Sequence, residues 1–148
     1  MLLRTYSTLG PIGFLPAGGT WASCITLLIA YTLGFFDLSF VHQITAALSI
    51  FITAFYAIHA TRRQFGQRTD PAEIVIDESV GMLITFIGSP ITSSSIIAGF
   101  VLFRVLDIYK PWPISYMEKL PYAWGILLDD CVAGLCAWAV LQLIHCYC

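Results

Sequence analysis

Long apolar runs alternate with short polar joints along this chain. A helix needs about 20 apolar residues to cross a bilayer core of roughly 30 Å. Residues 20–36, TWASCITLLIAYTLGFF, nearly reach that length, and Asp37-Leu38-Ser39 makes a polar turn after them. Residues 40–60, FVHQITAALSIFITAFYAIHA, form a second run, so the short joint predicts an antiparallel helical hairpin. The first sustained polar stretch is 61–78, TRRQFGQRTDPAEIVIDE. Within it Asp70 can cap a helix, Pro71 suits its first position and Glu73 its first turn. A helix starting there puts Glu73 and Asp77 on one face.

Residues 79–103 are apolar again but interrupted by Ser89-Pro90-Ile91-Thr92-Ser93-Ser94-Ser95, which reads as a turn. One straight helix over 79–106 would be about 42 Å long and would separate Asp77 from Asp107 across the membrane. A hairpin turning near Ser89-Pro90 keeps them on one side, and the turn chemistry predicts this second form. Its arms are short, so it enters the bilayer partway or tilts, and the backbone freed at the turn needs cover from protein or water. Pro111 and Pro113 end the following helix. Trp112, Tyr116, Tyr122 and Trp124 suit a membrane interface. Ile126–Tyr147 is the last apolar run. The expected fold is all-α: an integral membrane bundle of four to five hydrophobic helices, one pair of them a short or re-entrant hairpin, in a single domain over 1–148.

Composition strengthens the membrane reading. Apolar residues make up 58% of the 148 and charged ones 11%, well under the quarter usual in soluble domains. No basic run is present, which removes nucleic acid as a partner, and no protein partner is evident. The first long apolar run begins at Trp21 with no cleavage-site pattern after it, so no cleavable signal is expected. Cys24, Cys131 and Cys136 lie in apolar runs and read as small hydrophobes. Cys146 and Cys148 sit on the tail, where metal binding or modification is the minor alternative.

Charge is withheld from the spans and gathered in clusters at their ends. Gly18-Gly19-Thr20 opens the first apolar helix. Asp70-Pro71 precedes Asp77-Glu78 and Gly81. Arg104, Asp107 and Lys110 lead into Pro-Trp-Pro, and Asp129-Asp130 opens the last span. Carboxylates beside an apolar span are costly unless paired, hydrated or bound to a cation. If these clusters converge, they form a strongly anionic site that a hard divalent cation such as Mg²⁺ would relieve through oxygen ligands. Arg104 and Lys110 could hold a phosphate, or Arg104 could simply pair with Asp107. The helix start at Gly18-Gly19-Thr20 could bind an anion or be a plain turn. Glu73 and Glu118 read as solvated helix faces. His42, His59 and His145 lack matched partners and read as structural.

In this order, DPAEIVIDESVGM (70–82), FRVLDIYKPWPI (103–114) and GILLDDCVAG (125–134) resemble the phosphatidylglycerophosphatase A family. With Gly19-Thr20 the resemblance covers nearly the whole chain. Gly18 stands where the family usually carries a proline. The resemblance implies a Mg²⁺-dependent membrane enzyme that removes the terminal phosphate of phosphatidylglycerophosphate, a phospholipid substrate in the bilayer. By that resemblance, Asp70, Asp77, Glu78, Arg104, Asp107, Lys110, Asp129 and Asp130 occupy the family's motif positions.

The expected roles follow. Asp77, Asp107, Asp129 and Asp130 hold one or two Mg²⁺ ions, Glu78 is a further ligand or general base, and Asp70 supports them. Arg104, Lys110 and the amides of Gly19 and Thr20 take phosphate charge. The expected location is the bacterial inner membrane, crossed several times, with the site facing the cytoplasm, because Arg62, Arg63 and Arg68 follow the second span. Two other readings are a small ion or proton transporter and a non-catalytic membrane subunit with an acidic cation site.

Overall fold

The computed structural model describes residues 2–61, 64 and 71–147, with the side chain of Tyr147 excepted. Asp70 and Arg62, Arg63 and Arg68 lie outside the described residues. Seven α-helices are present among those described, and no strand: α1 (Leu2–Ser7), α2 (Gly18–Thr32), α3 (Phe40–Thr61), α4 (Ile76–Thr85), α5 (Ser93–Tyr109), α6 (Ile114–Met117) and α7 (Ala123–Tyr147). Short 3₁₀ turns cover Ile12–Phe14 and Phe35–Asp37.

The long helices alternate in direction. One end of the molecule gathers the starts of α2, α4 and α7 with the ends of α3 and α5. Cross-links between helices fix this arrangement: Lys110 reaches Asp129 at that end, and Ser95 Oγ meets His145 Nε2 (2.8 Å) at the other. Short α4 is the hub. Nearly all its residues are buried, and it packs on α2, α3 and α7. Val80 and Ile76 join Ile58 of α3 and Leu127 of α7 in one core cluster. Met82 and Phe86 join Phe103 and Leu141 in a second.

Two helices, α3 and α7, are long and apolar enough to cross a membrane. A core helix of a soluble protein passes that length test too, but it is mostly buried. Only 28% of the apolar window of α3 is buried; Val41, Ile44, Leu48, Ile52 and Tyr56 face outward, where water is a poor solvent for them. The other apolar helices are shorter: α4, with ten residues, is about 15 Å long.

Three expectations need adjustment. The helix carrying Asp77 does not begin at Asp70–Glu73; it begins at Ile76. Ile74 and Val75 are buried, and Val75 N–H donates to Ser7 O (3.0 Å), which ties this stretch to the end of α1 and keeps it out of a helix. Burial of two β-branched side chains outweighs the local start signal, and Glu73 is left off the helix. Second, α2 and α3 do not close as a simple hairpin, because Leu83 of α4 sits with Ala30 of α2 and Ala47 of α3. Third, the first apolar helix is Gly18–Thr32, ending where Gly34 takes a left-handed turn (φ 68°).

The α4–α5 pair does turn at 86–92 instead of running straight. Its freed backbone is covered by protein. Gly88 N–H donates to Gln43 Oε1 (2.7 Å), and Ile87 O accepts from Trp138 Nε1 (2.7 Å). Gln142 Nε2 adds a bond to Ser89 Oγ (3.1 Å). Side chains from α3 and α7 thus satisfy polar groups that the turn frees.

Glycines set how closely α4 and α7 approach. A Cβ on Gly134 would run into Gly81 O, and one on Gly81 would run into the Phe103 ring and Asp130 O. Gly134→Leu is therefore expected to force the helices apart and lower stability by roughly 2–4 kcal/mol, at or above the usual overpacking cost. Leu135→Ala, on an exposed position of α7, should change stability by less than about 0.5 kcal/mol. Thermal unfolding in detergent checks both, and equal melting temperatures for the two variants would contradict the close-contact account.

Candidate active site

A cavity of about 590 Å³ opens at the end of the molecule where α2, α4 and α7 start. Its wall includes six carboxylates, those of Glu73, Asp77, Glu78, Asp107, Asp129 and Asp130, and two cations, Arg104 and Lys110. Asp77 and Glu78 come from the first turn of α4, Arg104 and Asp107 from the last turns of α5, and Asp129 and Asp130 from the second turn of α7.

Within this wall the acids fall into two kinds. Asp77, Glu78 and Asp130 each offer one oxygen, and these oxygens all lie within 4.8 Å of one another. Asp77 and Asp130 are buried. Glu78 Oε2 and Asp130 Oδ2 are buried with no hydrogen-bond donor. Burial pushes the Glu78 carboxyl up to about 7; the charge of Asp107 pushes the same way, while a hydrogen bond with Asp77 and the charge of Arg104 oppose it. Three converging carboxylates, those of Glu78 and Asp130 each with an orphaned oxygen, fit a divalent cation: the donor set is all oxygen, and the ion's charge would relieve the repulsion.

Asp107 and Asp129 are already matched by cations. Arg104 Nη1 donates to Asp107 Oδ2 at 2.6 Å and stands 4.0 Å from Glu78 Oε1, so Asp107 is its main partner. Lys110 Nζ donates to Asp129 Oδ2 (2.6 Å) and lies 3.6 Å from Glu118 Oε1. The remaining oxygen of Asp129 accepts the backbone N–H of Asp130 (2.9 Å). Lys110 caps α5 in the left-handed region (φ 42°), a conformation that turns the chain back across the start of α7. Buried Arg104 Nε has no acceptor. An anion beside it would satisfy that donor.

The start of α2 forms the opposite rim. Gly18 and Gly19 occupy its first turn, where helix N–H groups have no intrahelical acceptor. A Cβ on Gly19 would strike the Glu78 carboxylate and come within 3.2 Å of Arg104 Nη1. Only glycine lets this backbone lie against the charged pair. Thr26 Oγ1 donates to Ser79 Oγ (2.8 Å), fixing α2 against α4 about two turns further along α2.

Of the residues expected to form the site, Asp77, Glu78, Arg104, Asp107, Lys110, Asp129, Asp130 and Gly19 line this one cavity. Thr20 does not line it, and its N–H donates to Ala17 O (2.9 Å), so that amide is used within the helix. Asp70 lies outside the described residues. Of the four aspartates expected to hold metal, Asp77 and Asp130 converge with Glu78, the further expected ligand, while Asp107 and Asp129 face cations. Adjacent Asp129 and Asp130 point to different partners because successive helix positions diverge by about 100°. Glu73, expected on a solvated face, lines the cavity because the chain there is not helical. The segment Gly13–Leu15 also lines it; only its glycine hinted at this, since a Cβ on Gly13 would collide with Glu73 O.

A sequence profile of the phosphatidylglycerophosphatase A family matches residues 5–145. A phosphatidylglycerophosphatase A of Haemophilus influenzae is 36% identical, over 97% of this chain and 94% of that protein. One of Escherichia coli is 40% identical over 60% of this chain; the match spans 52% of that protein, about half its length. A Bacteroides thetaiotaomicron protein named "Putative phosphatidylinositol-3-phosphatase" is 32% identical, over 86% of this chain and 80% of its own. No solved structure matches. With nearly its whole length matched, and its motif residues gathered in one cavity, this chain belongs to the phosphatidylglycerophosphatase A family, a family of phosphatases.

Proposed function

We propose that this chain hydrolyses the terminal phosphate of phosphatidylglycerophosphate to give phosphatidylglycerol, with Mg²⁺ bound by Asp77, Glu78 and Asp130. The observation that carries the reading is one cavity holding both a cluster of three carboxylates, two of them buried, and a guanidinium whose buried Nε donor is unsatisfied. The first suits a hard cation and the second a phosphate. The relatives' names share the chemistry of a phosphate on a phospholipid headgroup. A transporter would not need paired cations beside its acids, and a structural subunit would not need the acids.

When bound, Mg²⁺ would neutralise phosphoryl charge and lower the pKa of a coordinated water. The chain's own groups do the rest. Arg104 presents a guanidinium to the phosphate, with Asp107 fixing its plane. Lys110 adds a point charge and is positioned by Asp129. The first-turn amides at Gly18 and Gly19 face the developing negative charge.

In this reading the protein crosses the bacterial inner membrane several times, with α2, α5 and the α4–α5 turn embedded beside α3 and α7. Trp112, Tyr116, Tyr122 and Trp124 are exposed near the cavity's end of the molecule, as residues at a lipid–water boundary would be. The arginines that follow α3 put that end in the cytoplasm.

Chelation gives the first test. Phosphate release from the lipid in detergent should fall to background in EDTA and return with Mg²⁺, with Mn²⁺ a partial substitute. Full turnover in excess chelator would end the metal assignment. Substitutions give the second. Asp77→Asn, Glu78→Gln and Asp130→Asn should each lower kcat by about 100-fold or more. Gly19→Ala should do comparable damage by displacing the Glu78 carboxylate. Glu118→Gln, at a half-exposed carboxylate, should cost less than about three-fold. The reverse order in folded protein would move the site elsewhere. The third test is topology, by maleimide labelling of single cysteines in a cysteine-free background. Lys119→Cys should label only from the cytoplasm and Ser94→Cys only from the other side. Labelling of both from one side would contradict the proposed insertion.

A further inference from the structure

α2 and α5 meet at the cavity, where Gly19 approaches Arg104, and then part. Between them runs a groove of about 430 Å³, lined by Cys24, Leu28 and Tyr31 of α2 and Ile97, Phe100 and Val101 of α5, among others. The lining is apolar throughout. Leu28, Tyr31, Ile97 and Val101 are each more than half exposed. The groove lies in line with the cavity along α5. Ile108 and Arg104, which line the cavity, share one face of α5 with Val101 and Ile97, which line the groove, at spacings of three and four residues. Along α2, the stretch from Gly19 to Tyr31 extends about 18 Å away from the carboxylates.

A second apolar cleft flanks α2 on the side of α3, lined by Ile25, Ile29 and Ala46. It is walled off from the carboxylates. Ile12 and Ile76 face that cleft, while their chain neighbours Gly13 and Asp77 face the cavity, so the 3₁₀ turn and the start of α4 stand between the two.

We propose that the α2–α5 groove holds one acyl chain of the lipid whose phosphate enters the cavity, so that the substrate arrives sideways from the bilayer. This inference rests on the lipid-phosphatase reading. The occupant must be apolar, elongated and joined to an anionic headgroup, because the apolar groove lies along the same face of α5 that carries Arg104 into the cavity. The phosphate then meets the cations while the chain stays in hydrocarbon.

The test uses two forms of phosphatidylglycerophosphate, with dioleoyl and with dihexanoyl chains. Cys24→Trp and Val101→Trp fill the groove without touching the carboxylates. Each should raise KM for the dioleoyl lipid by about ten-fold or more, while KM and kcat for the dihexanoyl lipid change by less than about two-fold. Leu48→Trp, on the exposed face of α3, and Ile29→Trp, in the other cleft, should leave both substrates unaffected. Equal effects on the two lipids, or none on the dioleoyl form in folded variants, would overturn the assignment.

A second arm does not depend on turnover. Phosphatidylglycerol carrying a diazirine on one chain should label α2 and α5 in preference to α3. Labelling spread evenly over the exposed apolar helices would overturn the proposal, as would an efficient Ile97→Cys cross-link between two copies of the chain. Phosphate release from neither lipid by the unaltered protein would end the phosphatase reading instead, and the photolabel alone would then decide the groove.

Discussion

The close approach of α4 and α7 at Gly81 and Gly134 governs the geometry of everything above it. The two helices run in the same direction, and side chains at both positions would collide with backbone or ring atoms of the facing elements. Asp77 lies four residues before Gly81, and Asp130 four residues before Gly134. Each carboxylate therefore stands one turn, about 5.4 Å, from the contact on its own helix. Backbones in van der Waals contact at one level hold their side chains a few ångströms apart at the next. The cluster of Asp77, Glu78 and Asp130 follows from that spacing, and it persists because the packing energy of the helix pair opposes the repulsion of the acids.

Charge in the cavity is sorted as well as concentrated. Three carboxylates converge, while two others each hold a cation at 2.6 Å. This division gives a single small space two characters, one attractive to a metal ion and one to a phosphate oxygen. Neither cation could be kept in place in a partly buried site without its acid, since an unpaired charge there costs several kcal/mol. Asp107 and Asp129 thus have work that needs no metal, which explains why a chain with so few charges places more acids here than a metal ion needs.

The short hairpin of α4 and α5 serves the same end. Ten residues of α4 are too few to span a bilayer, and its far turn frees backbone groups that need partners. Gln43, Trp138 and Gln142 satisfy that turn from neighbouring helices. The cost is a few buried polar side chains. The gain is that Asp77 and Asp107 return to one side, and that α5 stands off from α2 far enough to leave an apolar groove beneath the cavity.

Much of this was legible in the residues. The spans at α3 and α7, the turn after α4, the aromatic residues near the cavity and the acidic and basic clusters are all local signals: hydrophobic run length, proline and serine punctuation, charge excluded from apolar stretches. Those depend on transfer free energy and backbone sterics, which act residue by residue. What only the tertiary structure decided were relations between distant segments. The division of labour between Asp129 and Asp130, identical neighbours in sequence, depends on which way α7 is rotated against α4 and α5. Glu73 entered the cavity because Ile74 and Val75 were claimed by the core and α1, overriding a good local helix start. Thr20 dropped out because its amide was claimed by Ala17 in the first turn of α2. Sequence determined which groups are available and that they must leave hydrocarbon; packing of glycine faces and pairing of charges determined which of them meet, because contact distance and rotation about a helix axis are properties of the assembled bundle.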